Sequence, residues 1–338
     1  MQSSKKYIPL FIFFSILLIA LAFASLFLGS EILAPSKVSE ALFSTSEKNI
    51  EFIVNQIRLP RVLTSLLAGA ALSVAGLQMQ TYFRNGLAGP YILGVSAGSG
   101  LGVALLIMTG SLFGIEANGE YSITTAAIIG SVGVMLIMLF FANKIGSGIM
   151  LLLVGIMLGS FISASISIME YFSDAQSMKK YILWTMGSTS GNTLANVKYI
   201  GIFVGIGLAF SIFSIRSLNA LLMGEDYAKS MGISIKRTRL LILISTGILA
   251  GVVTAYCGPI AFVGLAVPHV VRLMIKTSNH AIIIPFTALL GAIILVFCDL
   301  VATLPGMDIR LPINAVTSII GAPIVVYIIL KNKVTANG

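Results

Sequence analysis

The chain carries very little charge. Only 10% of its 338 residues are charged, and it has just two cysteines and two histidines. This excludes a soluble globular protein, because about a quarter of the residues of such proteins are charged. A hydrophobic content of 57% and a mean hydropathy of +1.01 predict instead an all-α protein that crosses the membrane many times.

Motifs of catalysis and energy conversion are also missing. The sequence contains no GxxxxGK[ST] phosphate-binding loop, no HExxH zinc motif and no nucleophile elbow. Cys257 and Cys298 stand far apart in apolar surroundings, so neither a metal nor a redox pair is predicted. We therefore expect no enzyme activity, no catalytic residue, no metal and no cofactor. If transport is active, another polypeptide has to supply the energy.

Windows of about 20 apolar residues predict ten membrane spans. They lie near residues 8–29, 60–81, 91–110, 121–142, 149–170, 196–215, 239–257, 260–275, 281–301 and 312–330. Pro268 interrupts the eighth of these. The first resembles a signal peptide, but its apolar run is longer than is typical, so we expect it to be a span.

Ten spans place both termini on the same side of the membrane. If that side is the cytoplasm, it receives thirteen of the 21 bases and two of the 12 acids, which satisfies the positive-inside rule. The net charge of +9 then reflects orientation in the lipid rather than nucleic-acid binding. We predict a single transmembrane domain over residues 1–338 in the inner (plasma) membrane, with both termini cytoplasmic.

The segment 217–240 is polar and charged between two long apolar spans. It must therefore stand in water, and we expect a short helix pair on the cytoplasmic face. Glu225 and Asp226 suit a helix start, and the basic residues from Lys236 onwards suit the cytoplasmic lipid surface. This segment is the expected binding surface for another protein.

The predicted span interiors carry no ionisable group, with Asp299 nearest to one at the outer end of the ninth span. Such groups mark ion and proton pathways, so a proton- or sodium-coupled transporter is disfavoured. Small polar side chains at helical spacing favour a neutral translocation path instead, although each could simply bond its own helix backbone. The candidates are Ser160, Ser163 and Ser167 in the fifth span and Asn314, Thr317 and Ser318 in the tenth.

Two further patterns have structural interpretations. Glycines four residues apart, at 98 and 102, 155 and 159, 201 and 205, and 247 and 251, predict close helix packing. Arg58 and Arg61 stand at the outer mouth of the second span. They could reach lipid headgroups, but the positive-inside rule makes bases unexpected there.

The chain resembles the permeases of ATP-binding-cassette importers of the FecCD type, over about residues 55–330. The motifs that carry the resemblance are RLPR at 58–61, GAALSVAGLQMQ at 69–80, RNGLAGPYILGVSAG at 84–98, LLLVGIMLGS at 151–160, WTMGS at 184–188, GEDYAKSMGIS at 224–234, GPIAFVGLAVPHVVR at 258–272 and LPINAVTSIIGAP at 311–323. Together they are highly specific in this order and spacing.

The resemblance implies a homodimer with the substrate path on its two-fold axis, two ATPase subunits below it and a soluble substrate-binding protein outside. The cargo of that family is an iron-siderophore, haem or cobalamin. The resemblance assigns a cytoplasmic gate to the turn 145–149, with Ser147 and Gly148. It assigns ATPase coupling to 217–235, and there to Leu221, Gly224, Glu225, Tyr227, Ala228, Ser230, Met231 and Gly232.

The resemblance matches Arg58 and Arg61 to positions that face carboxylates of the binding protein. The sequence departs from the family at Asn85-Gly86, where Asn-Pro is usual, and at Thr303 and Arg310, where arginine and glutamate are common. We expect Arg310 to take over the outer docking role. A stand-alone secondary transporter or channel is the alternative. A membrane-embedded enzyme is not supported, because the sequence contains no clustered acids, no clustered histidines and no nucleophile motif.

Overall fold

A computed structural model describes residues 6–43, 47–110, 119–307 and 309–336, and every regular element in these ranges is helical. In chain order the helices are α1 (Ile8–Phe27), α2 (Pro35–Phe43), α3 (Lys48–Phe52), α4 (Leu59–Tyr82), α5 (Val95–Ala104), α6 (Glu120–Lys144), α7 (Gly148–Phe172), α8 (Ala175–Thr185), α9 (Leu194–Phe213), α10 (Ile215–Met223), α11 (Glu225–Ser230), α12 (Ile235–Cys257), α13 (Val263–Met274), α14 (His280–Ala302) and α15 (Ile313–Ala336). A π-helical stretch, Ile53–Arg58, joins α3 to α4, and another, Leu105–Thr109, extends α5.

The ten predicted spans are confirmed as helices. Seven segments of the described chain are long and apolar enough to cross a membrane, and they contain α1, α4, α6, α7, α9, α12 and α14. Three shorter apolar helices, Val95–Thr109, Val263–Met274 and Ile313–Tyr327, match the third, eighth and tenth predicted spans. The third is short because the 3₁₀ turn Pro90–Leu93 occupies its first residues, and Pro268 lies inside α13.

Side-chain caps fix where several helices begin. The Ser147 hydroxyl accepts from the Met150 N–H at the start of α7, and Ser234 accepts from the Arg237 N–H at the start of α12. Asp174 accepts from the Gln176 and Ser177 N–H groups at the start of α8, at 2.9 and 3.0 Å. These caps satisfy backbone donors that have no partner inside the helix.

The described residues form two compact units. One is drawn from Met1–Val74, Ser188–Ile202 and Ile260–Gly338, the other from Ala75–Gly187 and Phe203–Pro259. In the first unit, α4 and α14 cross so closely that a Cβ on Gly69 would overlap the Gly291 carbonyl. In the second, α5 and α6 cross at Gly98 and Gly130 in the same way.

Candidate coupling and gate site

The predicted coupling segment folds into α10, α11 and the turn that follows, as a short helix pair. Leu221 and Ala228 are buried and anchor the two helices. Tyr227 and Met231 are 49% and 59% exposed, and Met223, the last residue of α10, is 70% exposed. The pair is thus fixed on one side and presents large apolar side chains on the other, which is typical of a surface that binds a partner.

Two glycines set the shape of this segment. Gly224 joins α10 to α11 with φ +122°, and Gly232 ends α11 with φ +77°. At the second turn the Gly232 N–H donates to Lys229 O (2.9 Å), and the Ile233 N–H donates to Ala228 O (3.0 Å). Positive φ is rarely adopted by residues with a Cβ, so both turns depend on glycine.

The charges of α11 complement its helix dipole. Glu225 and Asp226 lie in its first turn and Lys229 in its last. The Lys229 ammonium bonds Asp226 at 2.9 Å, and this hydrogen bond holds the pKa of the Asp226 carboxyl below its usual range. Ser230 donates to Tyr227 O at 2.8 Å. Both charged side chains are exposed, so they shape the surface of the helix rather than its packing.

A cavity of about 840 Å³ lies beside α11. Three stretches of the second unit line it: Tyr82–Arg84 at the end of α4, Gly146–Ile149 at the predicted gate, and Met223–Tyr227 in the coupling segment. The structure therefore brings together the gate residues Ser147 and Gly148 and the coupling residues Gly224, Glu225 and Tyr227, which were predicted separately.

The gate turn, residues 145–149, comprises the connection between α6 and α7 and the first two residues of α7. Its carbonyls are bonded by Arg239, whose side chain is buried in the first turns of α12. One terminal nitrogen donates to Ala142 O (3.0 Å) and to Ile145 O, and the other donates to Gly146 O (2.6 Å). These acceptors belong to the C-terminus of α6 and the turn, where carbonyls lack intrahelical partners.

A second arginine bonds the coupling segment itself. Arg84 follows α4 with φ +50°, and its guanidinium donates to Leu221 O at 3.2 and 3.3 Å. Leu221 lies in the last turn of α10, so this cation also stands at a helix C-terminus, where the dipole favours it. Asn85, in the turn where the family often has Asn-Pro, accepts from the Leu87 N–H through its side chain at 2.9 Å.

The outer arginines lie in the first unit and are engaged internally. Arg58 is 4% exposed and donates to the carbonyls of Leu26, Phe27 and Glu31 at 2.6–2.9 Å. Arg61 is 5% exposed and pairs with Asp299 at 3.1 Å. A docking role for these two arginines stays a prediction, and it requires that these bonds be released.

Asp299 is the centre of a buried ionic cluster. Its carboxylate is fully buried and pairs with Arg310 at 2.5 Å as well as with Arg61, and it accepts from the Thr189 hydroxyl at 2.5 Å. Arg310 retains 30% side-chain exposure. The sequence placed Asp299 at a span end, but nothing in it indicated that two arginines would bury it.

The two polar stripes are separated in the fold. Ser160, Ser163 and Ser167 are exposed along α7 in the second unit, and Ser160 also bonds its own helix at Ile156 O. In the first unit, Thr317 and Ser318 donate to Asn314 O, and the Asn314 amide oxygen accepts from the Ala261 N–H at 3.1 Å. Backbone bonding accounts for most of these groups, so their role in a path stays a prediction.

Arg239 is the residue of the site that the sequence reading missed. It was grouped with Lys236 and Arg237 as a membrane-surface base, yet both of those are exposed. The available signal was its spacing from Arg237, since residues two apart on a helix point in nearly opposite directions. Residue 239 adjoins the first apolar residues of α12, on the side that packs.

Comparison with known proteins supports the resemblance to FecCD-type permeases along most of the chain. The FecCD transport family matches residues 17–331. The vitamin B12 import system permease protein BtuC of Salmonella typhi is 35% identical over 333 residues, which cover 98% of this chain and 98% of that protein. BtuC of Citrobacter koseri is 37% identical over 285 residues, 84% of each chain.

A solved structure agrees with this assignment. It is described as an inward-facing conformation of a metal-chelate type ABC transporter. It superposes with a TM-score of 0.84 at 29% identity, over 96% of this chain and 99% of that one. The helical fold and these similarities thus define a multi-pass membrane permease of the ATP-binding-cassette importers.

More specifically, the chain belongs to the FecCD transport family. Permeases of this family are transport subunits and not enzymes, since a separate ATPase hydrolyses the ATP.

Proposed function

We propose that two copies of this chain form the path of an importer for a metal chelate. A binding protein delivers the chelate from outside, and two ATPase subunits bind the segment 217–235 from the cytoplasm of the inner (plasma) membrane. The main support is the exposed, glycine-bounded helix pair that shares a cavity with the gate turn. A short amphipathic helix that inserts into a groove of the partner is a common mode of recognition.

The cargo is a bulky chelate of the iron-siderophore, haem or cobalamin kind. Two observations support this class: relatives that cover nearly the whole chain import vitamin B12, and the similar solved structure is of the metal-chelate type. The exposed serines of α7 and the Asn314 stripe are the proposed neutral lining of the path.

For the binding protein we propose Arg310 as the first contact. Of the three outer arginines it alone keeps a substantial exposed fraction, 30% of its side chain. A carboxylate of the partner would meet a guanidinium already oriented by Asp299. Arg58 and Arg61 would then support Arg310 indirectly, by stabilising the buried structure beneath the docking surface through their internal bonds.

The alternative, a stand-alone secondary transporter or channel, would need an ionisable group that exchanges its ion. Asp299 is the buried acid to consider, and it is already neutralised by two guanidinium groups. Its carboxylate oxygens already contact Arg61, Arg310 and the Thr189 hydroxyl, so the group is engaged within the protein and not offered to a transported ion. The importer remains the better explanation.

Co-purification tests the proposal. The wild-type chain should form a stable complex with an ATP-binding-cassette ATPase, and Gly232→Arg should abolish that complex. Gly232→Asn is the matched control, because asparagine tolerates positive φ far better than arginine and is small. ATP hydrolysis by the reconstituted complex, measured with each chelate on its binding protein, would identify the cargo. Solute pumping by the chain alone, without nucleotide, would contradict the proposal.

A further inference from the structure

Arg239 is a buried cation with an unusual set of partners. It donates three hydrogen bonds to backbone carbonyls, of Ala142, Ile145 and Gly146, and the nearest of these residues is 93 positions away in the chain. Its neighbour Arg237 is exposed. A base that served only to orient the protein in the membrane would have no need of burial or of three internal acceptors.

The chemistry of arginine suits this position. A planar guanidinium presents several N–H donors in a fixed fork and keeps its charge when buried, whereas lysine offers one ammonium on a flexible stem. The acceptors lie at the end of α6, where the helix dipole is negative. Arg239 therefore fixes the position of the gate turn relative to α12 at several atoms at once.

The position of Arg239 in the chain connects this contact to the coupling segment. α12 begins at Ile235, where the coupling segment ends, and Ser234 caps it. Arg239 is thus within about one helical turn of the segment that the ATPase is proposed to bind. On its other side the gate turn faces α11 across the cavity of about 840 Å³, so there is room between these two elements for movement.

We infer that Arg239 is a positioning residue that makes the gate turn and the start of α12 move as one body. A displacement of the coupling segment then reaches the gate through the guanidinium, and the cavity between gate turn and α11 changes in size. This inference rests on the proposed function, because it takes the ATPase to act on residues 217–235. It assigns transmission of the movement to a residue outside that segment.

The first test uses the purified chain without any partner. Arg239→Gln should accelerate amide hydrogen exchange of residues 145–148 by about tenfold or more, because the bonds that hold the turn are lost. Arg237→Gln removes the same charge two residues away and should leave exchange unchanged. Equal exchange in the two variants would overturn the inference, whatever the fate of the proposed function.

The second test uses spin labels in the assembled complex and needs no substitution at Arg239. Labels at Ser147→Cys and Arg237→Cys should keep one narrow distance when nucleotide binds. Labels at Ser147→Cys and Asp226→Cys, two positions that line the cavity, should change theirs. A nucleotide-dependent change between 147 and 237 would overturn the inference. The native cysteines are buried and should label slowly.

The third test separates transmission from mere stability. In the assembled complex, Arg239→Gln should lower the amount of substrate transported per ATP hydrolysed by about tenfold, while ATP hydrolysis itself continues. The ratio for Arg239→Lys should lie between those of the wild type and Arg239→Gln. A parallel loss of hydrolysis and transport, with the ratio unchanged, would show a structural role only and overturn the inference. Failure of any ATPase to bind would refute the proposed function, and the exchange measurement would still decide on Arg239.

Discussion

Asp299 is a charged residue that is buried in an otherwise apolar helix. Its fully buried carboxylate lies near the end of an apolar helix and forms ion pairs with both Arg61 and Arg310. Buried pairs cost desolvation, but removing one partner costs more, because the other charge is left without compensation. The cluster therefore makes the outer end of the first unit depend on one acid.

We expect Asp299→Asn to destabilise the protein by about 3–5 kcal/mol, since two guanidinium groups lose their counter-charge. Thermal unfolding of the purified chain in detergent should show a clear drop in midpoint. Asp226→Asn is the control, because that carboxylate pairs with Lys229 on the exposed surface and should leave the midpoint unchanged. Similar midpoints for the two variants would contradict this account.

Tyr181 is a second residue with a measurable signature. It lies in α8, outside the ten spans, and burial raises the pKa of its phenol to about 12. A raised pKa means that folding favours the neutral phenol. The contribution of the neutral phenol to the free energy of unfolding is fully present below about pH 10 and is lost as the pH rises towards 12.

We therefore expect the wild type to lose more thermal stability than Tyr181→Phe between pH 9 and pH 11.5, because phenylalanine cannot ionise. Unfolding midpoints measured across this range would show the difference. Tyr171→Phe should behave like the wild type, since Tyr171 is 83% exposed. If Tyr181→Phe and the wild type lose stability in parallel, burial of Tyr181 does not control its ionisation.

At the scale of helices, close crossings account for some of the glycine pairs and not for others. A Cβ at Gly98 would lie 2.5 Å from Gly130 O, and one at Gly102 would overlap Ala126 O. A Cβ at Gly159 or Gly205 would meet no described atom within 4 Å. The predicted packing role is thus confirmed where α5 crosses α6, and it is wrong for Gly159 and Gly205 within the described chain.

Gly102→Val should force α5 and α6 apart and lower the unfolding midpoint, since overpacking of this kind costs about 1–3 kcal/mol or more. Gly205→Val introduces the same side chain at an exposed site in α9 and should have a much smaller effect. Thermal unfolding of the two variants side by side is the measurement. Equal losses would mean that valine acts through helix propensity and not through the crossing.

At the scale of the whole molecule, the distribution of charge predicts the orientation in the membrane. Thirteen of the 21 bases and two of the 12 acids fall on the side of the coupling segment, if ten spans are counted. Positively charged loops remain in the cytoplasm during insertion. The long loop that contains Lys37 should therefore face outwards.

A cysteine at Lys37 should react with a membrane-impermeant maleimide on intact cells, because that exposed side chain is predicted to lie outside. A cysteine at Arg237, which is also exposed, should react only after the membrane is permeabilised. Both native cysteines are buried and should give little background. The reverse labelling pattern would mean that the chain is inserted the other way round.

The ten helices could be predicted from the sequence because insertion into lipid depends on the summed hydropathy of about 20 neighbouring residues. The helix pair of the coupling segment could also be predicted, since polar residues between two spans must lie in water. Turns at glycines such as Gly232 could be predicted from residue type, because few other residues adopt positive φ.

Only the tertiary structure decided which groups meet. Arg239 bonds carbonyls more than 90 positions away, and a backbone carbonyl leaves no trace in the amino-acid sequence. The burial of Asp299 likewise depends on Arg61 and Arg310 arriving from other segments of the chain. Hydropathy is a local sum that the sequence contains in full, whereas the partner of a buried charge is set by packing between distant segments.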